Sequence, residues 1–163
     1  MTLDLRELMA AEGGSLPFAY DMNLAGLEFS GEKPLTDLVH IEGAILNRAG
    51  ILSLQAKLQT TLSTYCARCL KPLRIKKELA VTQPLVTGLA DEENEDYILF
   101  EGGQLDLDPI LETALVLSMD MRFLCSEECL GLCPNCGSDL NEDPCDCEKE
   151  IDPRLLKLKD FLN

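Results

Sequence analysis

Of the residues that can do chemistry in this sequence, the eight cysteines stand out, and five of them fall within "CLGLCPNCGSDLNEDPCDC", residues 129 to 147. The run Cys133-Pro134-Asn135-Cys136-Gly137 has the spacing of a zinc knuckle. In a C-P-x-C-G turn two thiolates converge on one tetrahedral ion, and glycine permits the backbone conformation that aims amide hydrogens at sulfur. Cys145-Asp146-Cys147 supplies two more sulfurs in a tighter C-x-C spacing, and the turn formers of "DLNEDP" from Asp139 to Pro144 close the loop between. The remaining four are Cys66 and Cys69 in "CARC", and Cys125 and Cys129.

These sulfurs divide into two closed sites, Cys66/Cys69/Cys125/Cys129 and Cys133/Cys136/Cys145/Cys147. Because Cys129 lies four residues before Cys133, a mixed assignment and a single site with leftover thiols stand as alternatives. The expected cofactor is structural zinc, one or two ions. A catalytic zinc keeps an open position beside a general base and usually has a histidine or carboxylate ligand. The single histidine, His40, sits inside an expected strand with no partner constellation and reads as an ordinary exposed or packed residue. P-loop, G-x-S-x-G, H-E-x-x-H and Rossmann glycine patterns are missing from the sequence, so neither an enzyme activity nor a small-molecule substrate is expected.

The chain opens without the basic and apolar regions of a signal peptide, and no apolar run approaches the roughly 18 residues that span a bilayer. This predicts a cytoplasmic protein with no membrane partner, where a reducing environment favours metal-bound thiolates over disulfides. The 29 acidic and 14 basic residues give a net charge of -15 over 163 residues. Such a charge repels nucleic-acid phosphate when spread evenly, attracts a basic protein, and equally serves solubility. One local departure is basic: Arg68, Lys71, Arg74, Lys76 and Lys77, around and after "CARC". They are candidate nucleic-acid contacts, although a solvated strand face explains them as well, since only Tyr65 is near enough to stack on a base.

Several elements must position these groups. Residues 3 to 11, "LDLRELMAA", read as a short helix stopped by Gly13 and Gly14. Period-two alternation from Leu16 to Leu24, and again from Val39 to Ile45, reads as strands. The clearest strand runs from Ile51 to Tyr65, with Leu52, Leu54, Ala56, Leu58, Thr60, Leu62, Thr64 and then Cys66 on one face. "NRAG" at 47 to 50 makes it the second arm of an antiparallel hairpin. Alternation resumes from Leu73 to Val81, which puts "CARC" at a strand-to-strand turn.

"DEENED", 91 to 96, reads as an exposed loop without the ligand spacing of an EF-hand, and "DYILF" as one more short strand. Asp108 as N-cap with Pro109 at the first helical position opens a helix, "PILETALVLSMDM". Its apolar residues on most sides predict a helix sandwiched between the sheet and the cysteine segment. "IDPRLLKLKDFLN" starts a closing helix in the same way. The expected fold is therefore α+β: a mostly antiparallel sheet with a few helices in a core domain of residues 1–122, and a zinc-knuckle-like, metal-binding module of residues 123–163.

"CARCL" near the middle, "CSEECLGLCPNCGSDLNEDPCDCE" from Cys125, and the closing "DPRLLKLKDF" together resemble the YceD family, in the form typical of Gram-positive relatives. The family is associated with accumulation of 23S ribosomal RNA. The resemblance implies a non-enzymatic ribosome-biogenesis factor that supports synthesis, processing or stability of that RNA. Its early C-x-x-C carries over to Cys66 and Cys69, and its C-terminal knuckle to Cys133, Cys136, Cys145 and Cys147. Some relatives lack most of the C-terminal cysteines, which implies that the second site is not essential to the family's core activity. Joined to the acidity, the resemblance makes a basic ribosomal protein, large-subunit rRNA, or both, the expected partners. A redox-switched zinc chaperone is the alternative, because closely spaced thiols can form disulfides once metal leaves.

Overall fold

The computed structural model describes residues 1–88 and 97–147, so the expected loop at 91 to 96 and the closing helix after Asp152 lie outside the described residues. The fold is α+β with a mostly antiparallel sheet. The chain divides into two compact units, one of Met1–Thr64 with Pro72–Phe123, the other of Tyr65–Lys71 with the chain from Leu124 onward. Along the sequence come β1 (Thr2–Asp4), α1 (Arg6–Ala10), β2 (Ser15–Met22), β3 (Val39–Arg48), β4 (Ile51–Tyr65), β5 (Pro72–Val86), β6 (Ile98–Leu99), β7 (Gln104–Asp106) and α2 (Leu107–Leu117).

In the first unit, five strands lie in the order β2-β3-β4-β5-β6, and β1 pairs with β7 in a separate two-stranded sheet. β2 and β3 are antiparallel, as are β3 and β4, whereas β6 runs parallel to β5. β4 follows its alternation along its whole length: Leu52, Leu54, Ala56, Leu58 and Leu62 are buried. Each leucine fully removed from water contributes about 1.5–3 kcal/mol. Thr60 and Thr64 share that buried row, and their hydroxyls donate to the Leu38 carbonyl at 3.3 Å and the Glu32 carboxylate at 2.7 Å. The β3–β4 hairpin turns on Ala49 and Gly50, at φ 51° and 83°. Two left-handed residues between the paired Arg48 and Ile51 make a type I′ turn, whose twist suits the flanking strands. Asn47 locks it, accepting from the Gly50 N–H at 3.0 Å and donating to the Leu8 carbonyl at 2.8 Å.

Three local expectations are corrected. The first helix covers only Arg6–Ala10, because Thr2–Asp4 is drawn into a strand with Leu3 opposite Leu105. The second helix starts at Leu107 with Asp106 as its N-cap, accepting from the Asp108 N–H; Asp108 instead takes the Tyr20 hydroxyl at 2.8 Å and the N-terminal amine. Placing Leu107 inside the helix lets Leu107, Leu111 and Leu115 form one buried stripe at intervals of four. The helix is therefore not covered on most sides: Leu117 is 80% exposed, and the chain leaves the helix at Ser118, whose hydroxyl bonds back to the Leu115 carbonyl.

The second unit, beyond Tyr65 at the end of β4, has no helix or strand among its described residues other than a single bridge, Leu132 to Asp139. Its order comes from turns, side-chain hydrogen bonds and the cysteines.

Candidate metal centre

Both C-x-x-C segments fold into the same local turn. In the first, the Cys66 N–H donates to the Lys71 carbonyl at 2.8 Å and the Leu70 N–H to the Cys66 carbonyl at 2.9 Å. In the second, the Cys133 N–H donates to Ser138 and the Gly137 N–H to Cys133, both at 2.8 Å. The residue after the second cysteine is left-handed in each case, Leu70 at φ 59° and Gly137 at φ 77°. Glycine takes this conformation freely and leucine does not, which is why only the second turn was recognisable as a glycine-closed knuckle from its sequence.

The turns gather the sulfurs into two groups. Those of Cys66, Cys69, Cys125 and Cys129 lie within 4.8 Å of one another, as do those of Cys133, Cys136, Cys145 and Cys147. In the first group the Cys66–Cys129 and Cys69–Cys125 sulfur separations are 3.8 and 3.6 Å. A tetrahedral ion with metal–sulfur bonds of about 2.3 Å requires sulfurs about 3.8 Å apart, so the donor set fits such an ion. No histidine joins either group among the described residues. His40 is exposed and faces Asp21 across β2 and β3, its Nδ1 2.5 Å from the carboxylate.

Local hydrogen bonds favour the thiolate at one sulfur of the first group, Cys66, and at two of the second, Cys133 and Cys136. The Cys69 N–H, working against desolvation and joined by the N–H groups of Arg68 and Cys125, holds Cys66 down at about 6, below the ordinary 9.0. At Cys69 the Lys71 N–H lowers the value, but desolvation and bonds shared with the neighbouring thiols push it up to about 12. In the second group the Ser138 hydroxyl, 2.9 Å from the Cys136 sulfur, leads the interactions that lower Cys136 to about 6. Its bond with Cys136 keeps Cys147 up at about 12. A metal-free group thus loses its first proton easily and retains others shared among sulfurs, and a bound cation takes the place of those shared protons.

Four of the five basic candidates do not stand free. Arg68 donates through Nη1 to the carbonyls of Cys129 at 2.7 Å and Glu127 at 3.1 Å. Lys71 pairs with Glu142 at 3.0 Å and Asp139 at 3.1 Å. Arg74 pairs with Asp37 at 2.7 Å, and Lys77 donates to the Ser118 carbonyl. Among the described residues, Lys76 alone of the five makes no ion pair or hydrogen bond.

Sequence reasoning missed Asn141, Gly131 and the partners of Arg68 and Lys71. Asn141 donates through Nδ2 to the Cys129 sulfur at 3.4 Å and accepts from the Leu130 N–H at 2.8 Å. Its only signal was membership of the turn-rich run between Cys136 and Cys145. Gly131, at φ 80°, lies so close to Arg68 that a Cβ there would sit 3.0 Å from the Arg68 carbonyl oxygen.

Comparison with known proteins adds a family. Residues 54–162 match the model of the family described as "Large ribosomal RNA subunit accumulation protein YceD". Uncharacterised proteins of Mycobacterium bovis and Mycobacterium tuberculosis are each 34% identical over 104 residues, covering 60% of this chain and 49% of theirs. An uncharacterised protein of Mycobacterium leprae is 27% identical over 101 residues, 60% of this chain and 46% of its own. The chain thus spans about half the length of the curated relatives that it matches. No solved structure matches it. Among the described residues, no helix is long and apolar enough to cross a membrane.

Proposed function

We propose, because the chain belongs to the YceD family, that it is a non-catalytic factor in accumulation of large-subunit ribosomal RNA that acts by holding a basic ribosomal protein. Zinc bound by the two cysteine groups is structural in this reading: four thiolates close each site, leaving no open position for a substrate. The observation that carries the choice of partner is the state of the cations. The chain has a net charge of -15, and four of its five clustered basic residues are engaged by carboxylates or carbonyls. A phosphate backbone would have to displace these contacts, whereas a basic protein meets the acidic surface directly. Each closed four-thiolate zinc site adds a charge of about -2, which strengthens the same preference.

Titration of the purified, zinc-loaded protein against basic large-subunit ribosomal proteins and against a large-subunit rRNA fragment, at physiological salt, tests this. Binding to a ribosomal protein that weakens with added salt is expected. Tight binding to the rRNA fragment, with no affinity for any basic ribosomal protein, would overturn it. In that case Lys76→Glu with Lys77→Glu should weaken RNA binding and flatten its salt dependence.

A further inference from the structure

The two cysteine groups sit in one compact unit and are tied together by several bonds. The Leu132 N–H donates to the Arg68 carbonyl at 3.1 Å, and the Leu140 N–H to the Gly131 carbonyl at 2.9 Å. Lys71, two residues past a ligand of the first group, reaches Asp139 and Glu142 in the loop that joins the ligand pairs of the second. Asn141, in that same loop, donates directly to a sulfur of the first group, that of Cys129. Its own position is fixed by Asp139, whose Oδ1 accepts from the Asn141 backbone N–H at 2.9 Å and from Nδ2 at 2.6 Å.

We propose that the two groups fill with metal as one cooperative unit, with Asn141 as the positioning residue that carries closure of the second group to Cys129 in the first. The proposal rests on the reading that both groups hold metal. Its physical basis is ordering. Closing the chain between Cys136 and Cys145 holds residues 139 to 142 in the one arrangement that presents the Asn141 amide to the Cys129 sulfur and its carbonyl to the Leu130 N–H. The amide hydrogen then offsets thiolate charge in the first group, and Lys71 offsets charge between the groups. Both interactions oppose the repulsion between two sites of about -2 each. Linkage makes the effect reciprocal: whatever the second group does for the first, the first does for the second. Groups that bond a metal ligand from outside typically change metal affinity by about 10–100-fold, which sets the size expected here.

Native mass spectrometry of the full chain during stepwise addition of zinc reads the coupling directly. At one equivalent, chains without metal and chains with two ions should dominate, whereas independent equal sites would leave about half the chains with one ion. Asn141→Ala should make the one-ion species prominent and loosen the first group by about tenfold in chelator competition. In a second arm, Cys145→Ser with Cys147→Ser leaves all four ligands of the first group in place, and its affinity should still fall by about tenfold. A wild-type chain that takes two ions in a statistical distribution overturns the coupling and leaves the metal reading intact. A chain that holds fewer than two ions overturns both.

Discussion

The equivalence of the two C-x-x-C turns gives a test of opposite signs. Leu70 and Gly137 follow the second cysteine of their turns, at φ 59° and 77°, and close the same pair of backbone hydrogen bonds. A residue with a side chain costs about 1–2 kcal/mol in this left-handed conformation. Glycine offsets part of that by its greater freedom in the unfolded chain, about 0.4–1 kcal/mol. Leu70 is 62% exposed, so its removal forfeits little burial. The balance favours glycine at position 70 by about 0.5–1 kcal/mol, which corresponds to roughly two- to fivefold tighter metal retention. At Gly137 an added Cβ meets nothing within 4 Å, so Gly137→Ala suffers the backbone cost alone and should loosen retention by a similar factor. Competition with a chromophoric chelator on zinc-loaded protein measures both. Leu70→Gly should need more chelator than wild type for half release, and Gly137→Ala less. Shifts in the same direction would refute the equivalence of the turns and the conformational cost assigned to Leu70.

Two further outcomes follow from particular positions. A Cβ on Gly43 would lie 2.2 Å from the Gln55 carbonyl oxygen, 2.8 Å from the Phe18 ring and 2.9 Å from the Ala56 Cα, and two of these are backbone atoms that cannot swing away. Gly43→Ala should therefore cost about 3 kcal/mol or more and lower the melting temperature by about 10 °C, read by circular dichroism; an unchanged melt would count against the β2–β3–β4 register. In metal-stripped protein, Cys136 is held at about 6 and Cys147 at about 12. A lowered thiol value means that the thiolate persists at neutral pH and is lost as pH falls through about 6. At pH 7 about nine-tenths of Cys136 is then thiolate, against about one-hundredth of an ordinary thiol. Limited alkylation followed by peptide mapping should label Cys136 before Cys147, with the preference fading below pH 6, and equal labelling at pH 7 would contradict the hydrogen bonding assigned to Ser138.

What was legible in the sequence was local. The β4 row from Leu52 to Thr64 could be read because a strand repeats every two residues, and its fifteen residues give that period room to show. Cys133-Pro-Asn-Cys136-Gly137 could be read because two ligands and a left-handed glycine lie within a single turn. β1 and β7 could not, since each has three residues and they pair across about a hundred positions of chain. Asp108-Pro109 gave a sound helix-start signal, but Leu107 had a core position to fill and Asp108 was taken by Tyr20 and the N-terminal amine, so the cap moved to Asp106.

The same division runs through the candidate site. By itself the sequence determined that eight thiols at metal-ligand spacings would be carried by an acidic α+β chain, because spacing within a turn and alternation along a strand are properties of neighbouring residues. Spacing put Cys129 with Cys66 but left a mixed assignment open, and the tertiary structure gathers it there. Only the tertiary structure decided that Leu70 stands where a glycine would be easier, and that Asn141 bonds a sulfur of the group to which it does not belong. Each of those depends on which distant segments meet, and a chain's neighbour list carries no record of that until it folds.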